Sequence, residues 1–214
     1  MNVAISLVCA YLLGSIPSAV WFCRLIGGID IREHGSKNAG LTNTIRVLGW
    51  KAALPVTVVD LGKGIASPLL AGALCPGESW VPLLAGVLTI VGHSFTCFAG
   101  FRGGKGVLAS LGVFLVLAPD AAGFAFAVFL AIVLATRYVS LGSIVATWTL
   151  AVALGAKAAL GGFDPAAVAL AAMGTLIAAF VTVKHRTNIR RLRAGTESRF
   201  GEKAKAPETK GESK

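Results

Sequence analysis

Residues 107–136, VLASLGVFLVLAPDAAGFAFAVFLAIVLAT, decide how often the chain crosses a membrane. The stretch is apolar almost throughout, and Pro119 and Asp120 divide it into the segments 107–118 and 121–136. A transmembrane helix needs about 20 apolar residues to cross about 30 Å of hydrocarbon. The stretch therefore forms either one long helix or two short transmembrane helices, and the charges elsewhere in the chain distinguish these topologies.

The rest of the chain is similarly apolar. Of its 214 residues, 55% are hydrophobic and 14% are charged, whereas about 25% of the residues in a soluble domain are charged. This composition excludes an ordinary soluble domain, a disordered chain, a coiled coil and a collagen-like fibre. We predict an all-α integral membrane protein, whose other spans are 3–23, 52–74, 80–98, 141–160 and 166–183.

Positive charges gather on one side of the membrane if residues 107–136 form two helices. With seven spans, that side receives 18 of the 20 Lys and Arg residues, all except Lys63 and Lys157. One long helix would instead place the first basic loop and the basic tail on opposite sides. Because basic loops stay in the cytoplasm, we predict seven transmembrane helices, with the N-terminus outside and the C-terminus cytoplasmic. The net charge of +10 then reports topology rather than a nucleic-acid partner.

The chain divides into two parts by composition. Residues 1–197 are predicted to form a single polytopic membrane domain. Residues 198–214 are polar and lack aliphatic side chains other than alanine, so we predict a disordered cytoplasmic tail. The basic stretch at the end of the domain, KHRTNIRRLRAGTE at 184–197, is suited to anionic lipid headgroups.

Polar residues beside a membrane are expensive, so they mark candidate functional sites. Two such segments, 34–49 and 92–106, are glycine-rich and lead into predicted helices, where backbone N–H groups can bind an anion. The alternative for 34–49 is a polar loop with ordinary helix caps. With 136–143 and 184–192, these segments supply the candidate catalytic residues Ser36, Arg46, Lys105 and His185 and the candidate phosphate-binding residues Gly35, Asn38, Gly40, Thr42, Asn43, Arg102, Gly103, Gly104, Gly106, Ser143 and Asn188.

Two further polar features lie inside or at the end of apolar spans. Asp60 and Lys63 are three residues apart and share a helix face. They form either a mutually neutralised structural pair or part of a site. For His93, near the end of the third span, we expect a hydrogen-bonded structural role.

Missing residue patterns exclude several catalytic classes. Cys9, Cys23, Cys75 and Cys97 show neither metal-ligand spacing nor a disulfide framework, and no His/Cys cluster suits zinc. Paired carboxylates and the multi-aspartate signature of membrane alcohol phosphotransferases are also absent. We therefore expect no metal and no cofactor. The alternative to an enzyme is a membrane transporter of a phosphorylated metabolite, which should show inverted repeats and a site near the bilayer midplane.

Six motifs, in order along nearly the whole chain, resemble the acyl-phosphate-dependent glycerol-3-phosphate acyltransferases of bacterial membranes, the PlsY family. Lys37 stands where the family usually has a small residue such as glycine, and Leu41 stands where it has alanine. The motifs are GSIPSA (14–19), GSKNAGLTN (35–43), DLGKG (60–64), GHSFTCFAGFRGGKG (92–106), TRYVSLGSI (136–144) and HRTNIRRLRAGTE (185–197).

This resemblance implies a seven-span enzyme of the bacterial cytoplasmic (inner) membrane with its active site facing the cytoplasm. The reaction would transfer a fatty acyl group from acyl phosphate to the 1-hydroxyl of glycerol 3-phosphate, giving lysophosphatidic acid and inorganic phosphate. The expected partners are these two substrates and membrane lipids, with neither acyl-CoA nor acyl carrier protein used directly. A monomer is expected.

The motif match also implies roles for individual residues. Arg46, Lys105 and Asn188 are expected to bind phosphate groups. Asn38 belongs to the same matched site, and Ser36, Thr42 and Ser143 are expected to hydrogen-bond the phosphate or the developing oxyanion. His185 is the candidate general base, since its ordinary pKa of about 6.5 suits that task. A phosphate oxygen of the substrate as proton acceptor and a Ser36 acyl-enzyme are the two alternatives.

Overall fold

The computed structural model describes residues 2–202. Within this range the chain forms α-helices and two 3-10 turns, Ile31–Glu33 and Cys97–Ala99, and no strand. The helices are α1 (Asn2–Gly14), α2 (Ser18–Gly27), α3 (Leu41–Leu48), α4 (Trp50–Leu74), α5 (Trp80–Ser94), α6 (Val107–Leu117), α7 (Pro119–Thr136), α8 (Val139–Leu160), α9 (Pro165–Lys184) and α10 (Arg186–Arg193).

The first predicted span is broken in two. α1 ends at Gly14 and α2 begins at Ser18, although together they form one segment, Asn2–Gly27, that is long and apolar enough to be the predicted span 3–23. Pro17 explains the break, because it has no N–H to continue the helix. Side chains from elsewhere satisfy the freed carbonyl groups. Lys63 Nζ donates to the Ile16 oxygen at 2.9 Å, and the Thr96 hydroxyl donates to the Ser15 oxygen.

The division of residues 107–136 into two helices is confirmed. α6 ends at Leu117 and α7 begins at Pro119, the first helical position, where the missing N–H costs nothing. With 11 residues, α6 is about 16 Å long, whereas the 18 residues of α7 extend about 27 Å. Among residues 2–202, six helical segments are long and apolar enough to cross a membrane, and α6 is the shorter apolar helix beside them.

Glycine allows α4 and α6 to approach closely. A methyl group added at Gly64 would lie 2.3 Å from the Ala109 carbonyl oxygen, and one added at Gly112 would lie 2.4 Å from that of Leu61. Small residues give transmembrane helices this close packing. The contact places the middle of α4 against the start of α6, beside the candidate site. α6 continues into a buried apolar cluster around Phe114, Leu150, Met173 and Ile177, from α6, α8 and α9.

The outer surface of the helices is apolar, as a lipid-facing surface should be. Leu25, Leu134 and Leu160 each expose 80% or more of their surface. In a soluble protein such exposure over most helices would promote aggregation. In a multi-pass membrane protein it is the expected contact with acyl chains.

Part of the predicted tail packs against the helices. Phe200 N donates to the Arg137 oxygen at 2.7 Å, and Arg137 Nη2 donates back to the Phe200 oxygen at 2.8 Å. Residues 198–202 are thus held at the junction of α7 and α8. The remainder of the predicted tail, 203–214, lies outside the described residues.

Candidate active site

A cavity of about 470 Å³ opens where the polar segments meet. Asp60, His93 and Glu197 also border it, although the sequence did not mark Glu197 as a candidate. Four candidates do not line it: Gly35, Arg102, Gly103 and Gly104. The candidates that do line it are Ser36, Asn38, Gly40, Thr42, Asn43, Arg46, Lys105, Gly106, Ser143, His185 and Asn188.

Asn43 holds together the first loop, which is the polar segment 34–40 that precedes α3. Its Nδ2 group donates to the carbonyl oxygens of Ile31, His34 and Asn38 at 2.9–3.2 Å, and its Oδ1 accepts from Ser36 N at 2.8 Å. The side chain is 1% exposed. Because its amide is already fully engaged, Asn43 holds the loop in shape rather than offering a free donor to phosphate.

The first loop contains two left-handed residues. Gly35 has φ +58°, and a methyl group there would lie 2.4 Å from Asn43 Oδ1. Gly35 is therefore required for the close approach of Asn43 and does not reach the cavity. Lys37 also has φ +58°, a conformation that is unfavourable for a residue with a Cβ atom.

The loop leads into α3, whose N-terminus lines the cavity through Gly40, Leu41 and Thr42. The first N–H groups of a helix have no partner within it, so this end favours an anion. Arg46 follows Thr42 by four residues and lies on the same face of α3. Its guanidinium adds a charged donor to the same wall of the cavity.

Lys105 and Asn188 form the centre of a second wall. Lys105 Nζ donates to Asn188 Oδ1 at 2.5 Å, and Asn188 Nδ2 donates to Glu197 Oε1 at 2.6 Å. Glu197 also accepts from Ser140 Oγ and Arg191 Nε, both at 2.7 Å. Its buried carboxylate thus fixes Asn188 with the amide oxygen towards Lys105.

The charge states of this network follow from burial and neighbours. Burial, together with the nearby cations Arg191 and Arg46, lowers the pKa of Lys105 to about 8, although Glu197 opposes the shift. For Glu197, burial alone would raise the pKa, but hydrogen bonds from Asn188, Ser140 and Arg191 lower it below its usual range. At neutral pH the site therefore contains a carboxylate and an ammonium group that is close to losing its proton.

His185 is held as a neutral imidazole. It lies at the C-terminus of α9, 3% exposed, with Nδ1 2.8 Å from the Val181 carbonyl oxygen. A carbonyl oxygen only accepts, so Nδ1 carries the proton and Nε2 is left as an acceptor. Burial, and next the charge of Lys105, lower the pKa of His185 to about 4, against the bond to Val181.

The two candidate serines differ in their surroundings. Ser143 is buried on α8 and its hydroxyl donates to the Val139 oxygen at 2.8 Å, so it must rotate to donate to a ligand. Ser36 is exposed, and its Oγ makes no hydrogen bond within residues 2–202. The imidazole nearest in sequence, His34, has its Nδ1 3.0 Å from the Asp30 oxygen. The structure therefore provides no hydrogen-bonded base for Ser36.

The second glycine-rich segment contributes less than expected to the cavity. Arg102 is exposed outside it, and Gly103 and Gly104 pack against His93. A methyl group at Gly103 would lie 2.1 Å from the His93 carbonyl oxygen. These glycines are therefore needed for close packing, whereas Lys105 and Gly106 line the cavity directly.

The other end of the cavity is apolar. α6 contributes Leu108, Leu111 and Phe114 to it, and α7 contributes Ala122, Ala125, Phe126 and Phe129. These positions are three or four residues apart, so each set forms one stripe along its helix. α8 adds Ala146 and Leu150 to the groove, whereas Ser143 and Thr147, which also line the cavity, are polar. The cavity thus joins a basic, hydrogen-bonding end to an apolar groove between membrane-spanning helices.

The lining of this cavity suits an anion with a long apolar chain. Within residues 2–202 no group of three or more His, Cys, Asp or Glu side chains could hold a metal ion. The fold and the site together define a multi-pass membrane protein whose binding cavity suits amphiphilic anions such as phosphorylated lipids.

Comparison with known proteins identifies the family. Residues 4–195 match the family described as glycerol-3-phosphate acyltransferase, and the chain belongs to this family of membrane acyltransferases. The glycerol-3-phosphate acyltransferase of Salinibacter ruber is 42% identical over 93% of both chains. Glycerol-3-phosphate acyltransferase 1 of Deinococcus radiodurans is 42% identical over 95% of this chain and 98% of its own.

Solved structures agree with the sequence match. The crystal structure of PlsY (YgiH), an integral membrane glycerol 3-phosphate acyltransferase, in its glycerol 3-phosphate form has a TM-score of 0.84 at 38% identity. The lysophosphatidic acid form has a TM-score of 0.80 at 37% identity. Each comparison covers 94% of this chain and 96% of the solved one. The chain is therefore an acyltransferase, and its place in phospholipid biosynthesis follows from the family.

Proposed function

We propose that this enzyme transfers a fatty acyl group from acyl phosphate to the 1-hydroxyl of sn-glycerol 3-phosphate, giving lysophosphatidic acid and inorganic phosphate. The observation that carries the proposal is the division of one cavity into a basic end and an apolar groove. The structures of PlsY (YgiH) in its glycerol 3-phosphate and lysophosphatidic acid forms support the acceptor and the product. A donor with both a phosphate and an acyl chain would occupy both ends at once.

The cations and the helix terminus would hold the two phosphate groups. Arg46 offers a planar pair of donors suited to phosphate, and Lys105 offers a compact charge beside Asn188. Thr42, Ser143, Asn38 and the N–H groups around Gly40 and Gly106 would supply further donors. Bringing the donor and the acceptor into contact contributes several kcal/mol to lowering the barrier.

The chemical step would be a direct acyl transfer. The glycerol oxygen attacks the acyl carbonyl carbon, a new C–O ester bond forms, and the bond from that carbon to the phosphate oxygen breaks. Inorganic phosphate leaves with the electron pair. Donors at the cavity wall stabilise the negative charge that develops on the carbonyl oxygen.

The attacking hydroxyl would donate its hydrogen bond to His185 Nε2. The pKa of His185 is held at about 4, whereas a phosphate group has a second pKa of about 6 and is the stronger base. We therefore assign the orientation of the hydroxyl to His185. As the C–O bond forms, the hydroxyl proton would pass through Nε2 to an oxygen of the phosphate, which is the stronger base and its final acceptor. A Ser36 acyl-enzyme is disfavoured because no base among residues 2–202 makes a hydrogen bond to the Ser36 hydroxyl.

The membrane arrangement completes the proposal. Seven crossings, with α6 as a short span, would leave the N-terminus outside and the C-terminus in the cytoplasm. The basic end of the cavity would then face the cytoplasm of a bacterial inner membrane, where soluble glycerol 3-phosphate is available. The enzyme would act as a monomer, in contact with membrane lipids and without metal, cofactor or nucleic acid.

The test uses purified protein in lipid, with glycerol 3-phosphate and palmitoyl phosphate as substrates. We expect lysophosphatidic acid and inorganic phosphate in equal amounts, and no product when palmitoyl-CoA replaces palmitoyl phosphate. Lys105→Ala and Arg46→Ala should abolish most of the turnover while leaving the protein folded. Folded protein that binds glycerol 3-phosphate but forms no product from palmitoyl phosphate would overturn the proposed donor.

A further inference from the structure

A buried polar cluster lies at the edge of the candidate active site and contains none of the residues assigned to substrates. Ser18 Oγ donates to Asp60 Oδ1 at 2.7 Å, and Lys63 Nζ lies 2.8 Å from the same oxygen. His93 Nδ1 lies 3.4 Å from it. The four side chains are at most 8% exposed. Charges buried this deeply in a membrane protein are costly and mark a functional or architectural role.

The cluster fixes three helices relative to one another. Ser18 belongs to α2, Asp60 and Lys63 belong to α4, and His93 belongs to α5. Lys63 also donates to the Ile16 carbonyl oxygen at the break between α1 and α2. Every charged group in the cluster therefore has a partner, and the imidazole of His93 has little freedom to rotate.

The Nε2 side of the His93 ring contacts Gly104, which lies in the loop between α5 and α6. A methyl group added at Gly104 would lie 2.3 Å from His93 Nε2 and 2.7 Å from the Ala39 carbonyl oxygen. Gly104 N also donates to the His93 carbonyl oxygen at 3.1 Å. Gly104 is thus held between His93 and the first loop, with no space for a side chain.

The next residue along the chain is Lys105, one of the two cations, with Arg46, that we assign to phosphate binding. This phosphate-binding end of the cavity is the anion site. Lys105 Nζ reaches Asn188 across the cavity. The position of Gly104 sets where the Lys105 backbone starts and therefore where Nζ can lie. Although Asp60 and His93 border the cavity, one nitrogen of His93 faces Asp60 and the other faces Gly104. Both nitrogens therefore face protein groups.

We propose that His93, oriented by Asp60, is a positioning residue that places Lys105 in the anion site through its contact with Gly104. The proposal rests on the proposed function for the role of Lys105. Asp60 acts one step further away, by holding the imidazole plane. His93 itself transfers no proton in this scheme.

Two variants test the Nδ1 side and the Nε2 side of the His93 ring separately. His93→Asn retains a polar group near the Nδ1 position facing Asp60 and removes the edge facing Gly104, whereas His93→Gln can reach the position of Nε2. A misplacement of about 1 Å can cost about 100-fold in rate. We expect His93→Asn to lower kcat/KM by about that factor, chiefly through a higher KM for phosphate-bearing substrates, and His93→Gln to recover most of it.

A double-mutant cycle with Lys105→Ala distinguishes positioning from general structural support. If His93 acts through Lys105, His93→Asn should cost almost nothing further in the Lys105→Ala background. The proposal would be overturned if the losses in kcat/KM from His93→Asn and Lys105→Ala multiply in the double variant. It would also be overturned if His93→Gln and His93→Asn lose equal activity. Unfolding temperatures of all variants in the same lipid verify that they fold.

A second experiment tests the contact between His93 and Gly104 by changing the glycine. Gly104→Ala places a methyl group against Nε2, and it should show the same non-additivity with Lys105→Ala if His93→Asn does not fold. Failure of the proposed function is a separate result, because the wild-type protein would then form no lysophosphatidic acid. Wild-type activity with independent Gly104 and Lys105 effects would reject the positioning role alone.

Discussion

Lys105 and Asn188, 83 residues apart in the chain, are joined by a hydrogen bond of 2.5 Å from Nζ to Oδ1. The amide is oriented by Glu197, which accepts from Asn188 Nδ2 at 2.6 Å. A lysine that binds phosphate must keep its charge while remaining partly buried. The amide oxygen of Asn188 stabilises that charge by a hydrogen bond and leaves it positive, whereas a carboxylate in the same place would neutralise it.

Replacing this amide tests the network. Asn188→Asp places a second carboxylate beside Glu197 and pairs it with Lys105, so less positive charge is available to phosphate. We expect a larger rise in KM for glycerol 3-phosphate and acyl phosphate than in Asn188→Ala, which merely removes the bond. Initial rates at varied concentrations of each substrate measure this difference. Equal KM values in the two variants would show that the charge on residue 188 does not matter.

The pH dependence follows from Lys105. Its pKa is lowered to about 8, so the ammonium form is present below that pH and is lost as the pH rises through it. We expect kcat/KM to fall above about pH 8, because the free enzyme loses the charge that we propose binds phosphate. Arginine stays protonated throughout this range, so Lys105→Arg should remove the alkaline decrease, whatever its effect on the maximum rate. An unchanged profile in Lys105→Arg would assign the decrease to another group.

His185 offers two variants that separate its nitrogens. Asparagine can replace Nδ1 and keep the bond to the Val181 oxygen, whereas glutamine extends an amide towards the position of Nε2. If Nε2 accepts a hydrogen bond from the attacking hydroxyl, His185→Asn loses about 1.5–3 kcal/mol of transition-state stabilisation, a decrease in kcat of about 10- to 150-fold. His185→Gln should be the faster variant. Single-turnover rates with bound palmitoyl phosphate measure the chemical step directly, and the reverse order would argue against the assigned role of Nε2.

Lys37 tests backbone strain in the first loop. Its φ of +58° is accessible to glycine at little cost, and a Cβ atom costs about 1 kcal/mol or more there. We expect Lys37→Gly to be more stable than Lys37→Ala by about 1 kcal/mol, although both remove the same charge. Unfolding of the two variants in one detergent provides the comparison. Equal stability would mean that the loop can relax around residue 37.

The sequence predicts most of the helical pattern because apolar segments and basic loops are visible directly in the chain. Pro119 correctly predicted the boundary between α6 and α7. Contacts across the fold could not be predicted in this way. Glu197 is one carboxylate in a basic segment, and nothing in its local pattern indicates that it is buried against Asn188 and Ser140. Gly103 and Gly104 look like a phosphate loop along the chain, but their neighbour across the fold is His93.

The apolar groove leads to a prediction about the acyl chain. Ala125 lies on the groove side of α7 and is 6% exposed, whereas Ala127 on the same helix is exposed and does not line the cavity. A larger side chain at 125 would fill space that a long acyl chain needs. We expect Ala125→Phe to lower kcat/KM for palmitoyl phosphate much more than for an eight-carbon acyl phosphate, whereas Ala127→Phe should leave the ratio of the two unchanged. Overpacking can also destabilise a core by about 1–3 kcal/mol, but that loss would reduce activity with both donors alike. The ratio therefore reports the groove itself, and an unaltered ratio in Ala125→Phe would mean that the acyl chain lies elsewhere.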